Sequence, residues 1–172
     1  NVEIKIADDG EILAKGPNIM LGYFNNEEAT KEAIDADGWF HTGDIGHLDE
    51  ENYLFITDRK KNILVTSAGK NVAPAPLENA LVNSTYIEQS VVIGDKRNFI
   101  GALIVPAFDV IQNHLRENGK IISTSEEMAV DPNVISLIRG EVEKKMESFS
   151  NYERVKEFAL IPRILTLEKG EL

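Results

Sequence analysis

Val2-Glu3-Ile4-Lys5-Ile6 alternates apolar and polar positions, the period of two expected of a half-buried strand, and Asp8-Asp9-Gly10 supplies a turn into a second strand over 11–14. Asn26 is placed to cap a short helix over 27–34, with Glu27 and Glu28 where carboxylates oppose the positive end of the helix dipole. A second hairpin is expected where 45–48 meets 53–56 across Asp49-Glu50-Glu51-Asn52. Past Asp58 the pattern changes. Residues 62–66 read as a short apolar strand, Ser67-Ala68-Gly69-Lys70 as a turn, and Pro74-Ala75-Pro76 opens a helix with Leu77, Ala80 and Leu81 on one face. Strands over 89–93 and 99–105 follow, joined by a turn from Gly94 to Asn98. Helices are expected over 109–117 and 132–149. The second is capped by Asp131 and carries Val134, Leu137, Ile138, Val142 and Met146 at helical spacing. A last strand over 157–161 precedes the tail. The first part is mainly antiparallel and the rest mixes helices with strands. The expectation is an α+β chain of two lobes, 1–60 and 61–172, meeting at the charged stretch 58–62.

The 172 residues suffice for one ordinary domain or two small ones, and 42% apolar with 27% charged residues is a globular rather than a disordered balance. No apolar run approaches the roughly 20 residues that span a bilayer; the longest, 99–107, is broken by Gly101 and Pro106. The N-terminal residues show no basic and apolar leader, from which a cytoplasmic location is expected. The absence of cysteine excludes disulfides, thiolate metal sites and a cysteine nucleophile. A net charge of −11 argues against nucleic acid as a partner, since duplex binding rests on neutralising phosphates. A small anionic ligand needs only one local cationic patch, and the densest is Arg59-Lys60-Lys61.

Three stretches carry candidate chemistry. Gly38-Trp39-Phe40-His41-Thr42-Gly43-Asp44 sets two glycines, a hydroxyl, an imidazole and a carboxylate between strands. Glycine lets a backbone approach a ligand closely, and a carboxylate there can accept two hydrogen bonds from a ribose diol. The same residues also suit an ordinary turn. Asp58-Arg59-Lys60-Lys61-Asn62 offers the planar donor fork of Arg and the point charges of Lys, or it is a solvated charge run at a hinge. Thr66-Ser67-Ala68-Gly69-Lys70 lacks the glycine spacing of a phosphate-binding P-loop. His41, His47 and His114 lack metal-ligand spacing, and no Gly-x-Ser-x-Gly elbow is present.

Taken in order, these segments resemble the adenylate-forming superfamily of AMP-binding enzymes. Gly16-Pro17 to Met20 with Gly22-Tyr23, Trp39-Phe40-His41-Thr42-Gly43-Asp44-Ile45-Gly46, and Asp58-Arg59-Lys60-Lys61-Asn62-Ile63 with Gly69-Lys70-Asn71-Val72-Ala73-Pro74 and Glu78 carry the resemblance. Ser67 to Glu78, and the segment from Val105 through Phe158 to Gly170-Glu171-Leu172, resemble the long-chain fatty acyl-CoA synthetases in particular. The resemblance implies the end of a large domain followed by the small mobile α+β domain of such an enzyme. It also implies that a fatty acid and ATP give an acyl-adenylate and pyrophosphate, with Mg²⁺ screening the phosphates. The thiol of coenzyme A then displaces AMP. By position, Asp44 and Arg59 would contact the ribose of ATP or AMP, Lys61 would be the hinge, and Gly69 would border the pantetheine channel of CoA. Trp39 and Ile56 are weaker neighbours of the nucleotide, and core packing is the preferred role for both.

The family's phosphate loop and acyl tunnel belong to parts of the large domain that these residues do not include. Its adenylation lysine lies beyond Leu172, so no catalytic residue is expected in this chain; Lys169, Lys156 and Lys70 do not match it. With those groups missing, electrostatic catalysis has little to work with, and adenylation by this chain alone is not expected. Two other readings stand beside this one: an acyl-AMP ligase that loads a carrier protein, and a non-catalytic module of the same fold. Peripheral membrane association of the parent enzyme is left open by the resemblance. A lobe cut from a larger domain exposes apolar surface, so self-association of the chain or a poorly ordered N-terminal part is expected. Size-exclusion chromatography tests this: a compact monomer with fully protected N-terminal amides would overturn it.

Overall fold

The computed structural model describes residues 2–117, 124–166 and 168. The backbone divides into two compact units, residues 1–63 and 64–172, three residues later than the sequence boundary. Each is described by itself.

The first unit is one antiparallel sheet in the order β1 (Glu3–Ile6), β2 (Glu11–Lys15), β3 (Phe40–Leu48), β4 (Leu54–Arg59). The turn between β1 and β2 closes with the Gly10 amide donating to the Ala7 carbonyl at 2.9 Å, and Gly10 takes a φ of +87° that a side chain would resist. Ile12, Leu13 and Ala14 of β2 are all buried, so this strand forms the apolar centre of the sheet. Helix α1 (Glu27–Ala33) begins as expected, with the Asn26 side chain accepting from the Ala29 amide at 3.0 Å. In the β3–β4 turn, Asp49 Oδ1 accepts from the amides of Glu51 and Tyr53.

Two departures from regular pairing matter. Of the stretch 38–44, expected between strands, residues 40–44 lie within β3, which runs nine residues. Against β2, however, the step from Leu13 to Glu11 is matched by the step from His41 to Ile45, so residues 42–44 bulge out of the ladder. A second bulge, at Thr57, separates β3 from β4. Gly46 pairs with Ile56, and an unbroken register would set Asp44 opposite Asp58; the extra residue sets it opposite Arg59 instead.

The second unit begins with the two-residue strands β5 (Leu64–Val65) and β6 (Asn71–Val72) around the turn at 66–70. The strand expected over 62–66 is thus shorter, because Lys60–Asn62 forms a 3-10 turn of the first unit. Helix α2 (Pro74–Val82) starts on proline, and a three-stranded sheet follows in the order β7 (Ile87–Ile93), β8 (Ile100–Pro106), β9 (Val155–Leu160). Strand β9 runs parallel to β8, and the crossover between them holds α3 (Phe108–Glu117), α4 (Ser125–Val130) and α5 (Pro132–Met146). Helix α4 was not expected from the sequence. Helix α5 stops three residues before the expected Phe149, but its start is as read: Asp131 Oδ1 accepts from the amides of Asn133 and Val134.

Leu77 and Leu81 of α2, Ile111 of α3, Met128 of α4 and Val134, Ile138, Val142 and Met146 of α5 bury against Ile100, Ala102 and Ile104 of β8. On edge strand β7, the Val92 amide donates to Glu78 Oε1 at 2.7 Å, which closes part of an otherwise open edge. Among the described residues no helix is long and apolar enough to cross a membrane.

Ile138 is fully buried at the middle of α5. Ile138→Ala should destabilise the second unit by about 2–4 kcal/mol, and Ile138→Val by about 1 kcal/mol. Denaturant unfolding followed by helical circular dichroism measures both; Trp39, the sole tryptophan, reports the first unit separately.

Candidate functional site

The bulge at 42–44 would strand backbone groups that normally pair in a ladder. Two side chains prevent this, those of Thr42 and Glu11. The Thr42 hydroxyl donates to the Ile12 carbonyl at 2.7 Å and accepts from the Asp44 amide at 3.1 Å. Glu11 Oε1 accepts from the Gly43 amide at 3.0 Å. Glu11 Oε2 takes His41 Nδ1 at 2.9 Å and the Lys60 ammonium at 2.9 Å, and Lys60 reaches Asp9 Oδ2 at 2.7 Å. Gly43 sits at φ +71°. A Cβ there would meet Arg59 Nη2 at an ordinary 3.6 Å, so backbone conformation rather than crowding favours glycine.

Glu11 is 3% exposed. Burial alone pushes its carboxyl up, but hydrogen bonds from Lys60, His41 and the Gly43 amide outweigh it and hold it below the ordinary carboxylate range. The Lys60 hydrogen bond likewise holds Asp9 down, and the Asp9 and Glu11 hydrogen bonds hold Lys60 above the ordinary lysine value. On the other side of the bulge, Asp44 Oδ1 accepts from Arg59 Nε at 3.0 Å. The Asp44 side chain remains 27% exposed, so a carboxylate fixed by its neighbour stays reachable from solvent.

Of the residues singled out from the sequence, the structure therefore brings together Asp44 and Arg59. Lys61 follows in the exposed 3-10 turn, in the first unit. Gly69 belongs to the second unit, where its amide donates to the Thr66 carbonyl at 2.9 Å; at φ +71° it faces open space. Trp39 is half-buried, with the Lys5 ammonium 4.2 Å above its ring, whereas Ile56 is 64% exposed and does not pack into a core of this chain. Glu11, His41 and Lys60 were not assigned roles from the sequence. The available signal was Glu11 itself, an acid that opens the wholly buried run Ile12-Leu13-Ala14. Gly170-Glu171-Leu172 and Lys169 lie outside the described residues. Among the described residues no group of three or more His, Asp or Glu side chains is arranged to hold a metal ion.

The AMP-binding enzyme C-terminal domain family matches residues 61–162, more than half of the chain. The chain belongs to that family. This AMP-binding C-terminal chain is 44% identical, over 98% of its length and 28% of the relative's, to the long-chain-fatty-acid–CoA ligase FadD15 of Mycobacterium tuberculosis. It is 44% identical, over 67% of its length and 24% of the relative's, to the 2-succinylbenzoate–CoA ligase of Listeria innocua. Its structure is similar to O-succinylbenzoate coenzyme A synthetase from Bacillus subtilis in complex with AMP, with a TM-score of 0.65 and 28% identity, covering 99% of this chain and 32% of that one. The chain thus spans about a quarter of the length of the curated relatives it matches, and it shares the fold of the C-terminal region of adenylate-forming enzymes.

The acid–base behaviour of the first unit follows from these shifts. Glu11 and Asp9 are depressed on folding, so their contribution is present above the ordinary carboxylate values and lost as pH falls through the depressed ones. Lys60 is raised, so its contribution is present below the ordinary lysine value and lost as pH rises through the raised one. Trp39-monitored unfolding should be flat from about pH 6 to 9, decline below about pH 4, and decline again above about pH 10. Glu11→Gln should flatten the acid limb; an unchanged limb would show that Glu11 titrates normally.

Proposed function

We propose that this chain is the C-terminal part of a long-chain fatty acid–CoA ligase, acting only together with the remainder of its parent enzyme. The strongest support is the likeness to FadD15, which runs across both units rather than the small domain alone. In the proposed reaction a fatty-acid carboxylate oxygen attacks the α-phosphorus of ATP, and the bond to the bridging oxygen breaks with loss of pyrophosphate. The thiol of CoA then attacks the acyl carbon of the adenylate, and AMP leaves. ATP, AMP, CoA and the fatty acid are substrates or products here, and Mg²⁺ accompanies ATP and screens its phosphates; the B. subtilis synthetase is also known in complex with ATP and a magnesium ion.

Within that reaction, Asp44 would accept hydrogen bonds from the ribose hydroxyls and Arg59 would hold its carboxylate in place while adding a donor. A carboxylate fixed before the nucleotide arrives loses less entropy on binding it. Lys61 would carry the change in backbone angle between the adenylating and thioester-forming poses. Gly69 would present bare backbone to the pantetheine arm. Two alternative acceptors or roles, a carrier-protein thiol and a non-catalytic module, make different predictions in the same assay.

The test is ATP–pyrophosphate exchange and acyl-CoA formation by the full-length parent, with palmitate and with 2-succinylbenzoate. Palmitoyl-CoA formation by the parent, and none by this chain alone, is expected. Asp44→Ala should lower kcat/KM for ATP by roughly tenfold to a hundredfold, the weight of hydrogen bonds to a charged group. Lys61→Pro should spare pyrophosphate exchange and suppress thioester formation. Turnover of 2-succinylbenzoate alone would reassign the acyl group, and exchange without CoA transfer would favour a carrier protein. No exchange with any acid would leave the non-catalytic module.

A further inference from the structure

We propose that Glu11 is a positioning residue that ties the ribose-facing segment 42–44 to Lys60, the residue before the proposed hinge at Lys61, so that one buried carboxylate holds both. The inference rests on the proposed ribose role of Asp44. Its basis is the way the two oxygens of Glu11 are divided. Oε1 takes the Gly43 amide at 3.0 Å, next to Asp44 in the chain. Oε2 takes Lys60 at 2.9 Å and His41 at 2.9 Å. The carboxylate is planar and 3% exposed, with Ile12 and Leu13 buried beside it, so it has little freedom to answer one partner without disturbing the other. Displacement of the Lys60 ammonium shifts Oε2, and the plane carries Oε1 with it, away from the Gly43 amide.

Lys60 is also held from a second side by Asp9 at 2.7 Å, across the β1–β2 turn. The next residue, Lys61, is exposed. Beyond it the contacts with the first unit are longer: Asn62 Nδ2 donates to Asp58 Oδ1 at 3.4 Å and the Ile63 amide donates to the Lys60 carbonyl at 3.3 Å. Arg59, one residue earlier, grips Asp44 directly at 3.0 Å. Neighbouring residues of one strand end therefore hold the same segment from its two sides, Arg59 through the Asp44 side chain and Lys60 through Glu11. A nucleotide that orders residues 42–44 would in this way also order the base of the hinge, and the coupling is reciprocal.

Four variants decide the matter: Lys60→Met, Lys60→Arg, Glu11→Gln and the double Glu11→Gln/Lys60→Met. In the full-length parent, Lys60→Met and Glu11→Gln should each raise KM for ATP in pyrophosphate exchange about fivefold to tenfold, with kcat changed by less than about twofold. Lys60→Arg should return KM to near the wild-type value, and the double variant should be no worse than the poorer single one. In this chain, hydrogen exchange at the Gly43 amide should quicken in Lys60→Met and not in Lys60→Arg. A lowered melting temperature with wild-type KM and Gly43 protection would make the clamp purely structural and overturn the proposal. If Glu11→Gln fails to fold, Lys60→Met carries the test. A wild-type parent without pyrophosphate exchange would defeat the adenylation reading instead. The Gly43 exchange data would then judge the tie alone, and unchanged protection in Lys60→Met would overturn it.

Discussion

A charge taken out of water must be paid back by partners or it neutralises, and Glu11 is where the first unit meets that constraint. Its carboxylate is nearly inaccessible, yet Lys60, His41 and the Gly43 amide keep it ionised. The arrangement works in both directions. Without the bulge at 42–44, Gly43 would pair in the β2 ladder and have no amide to offer; without Glu11, the bulge would leave that amide unsatisfied in a half-buried place. Carboxylate and bulge therefore require each other, and the exposed face of the bulge is the place where Asp44 stands.

The second bulge settles the electrostatics of that face. Had the β3–β4 hairpin kept its register from the turn upward, Asp44 would sit across from Asp58, and two like charges directly opposite destabilise a pair of strands. One extra residue at Thr57 replaces this clash with Arg59, and the Thr57 hydroxyl donates to the Ile45 carbonyl at 3.2 Å where the ladder is interrupted. Gly46 is needed at the same level, because a Cβ there would come within 2.2 Å of the Phe55 carbonyl oxygen. The small residues around Asp44 thus answer to two different requirements: a left-handed backbone at Gly43 and sheer lack of room at Gly46.

How much of this was legible in the sequence depends on the range of the interaction. The helix caps at Asn26 and Asp131, the proline start at Pro74 and the apolar face of α5 were readable because each is decided within a few residues. Strand positions of β7 and β8 were readable to within two residues for the same reason. The parallel pairing of β8 with β9 was not, since it joins segments separated by three helices, nor was α4, whose six residues carry little periodicity. At the site, Asp44 and Arg59 could be named, but not as partners: their pairing depends on a bulge that alternation does not encode. Lys60 looked like one more charge in a solvated run, and only the fold brings it to a glutamate 49 residues earlier.

The two units are stabilised by different means, and this bears on what a mobile joint between them would require. The second rests on apolar side chains from four helices and a sheet, with Ile100, Ile104, Ile111, Val134 and Ile138 all inaccessible. Such packing is non-directional and tolerates rotation of the whole unit as a rigid body. The first has a thinner apolar layer and depends near Asp44 on directional contacts of 2.7–3.1 Å, which fail if their geometry shifts. A hinge placed in the sheet would break those contacts at each swing. Placed after Lys60, it leaves them intact, and the polar network then bounds the motion instead of opposing it. Residues 58–62 are held to the first unit by contacts of unequal length: Asp58 is buried, Arg59 pairs with Asp44 at 3.0 Å, Lys60 is held by Asp9 and Glu11 at 2.7 and 2.9 Å, and Asn62 reaches Asp58 only at 3.4 Å, so the proposed hinge at Lys61 would disturb the weakest of them first.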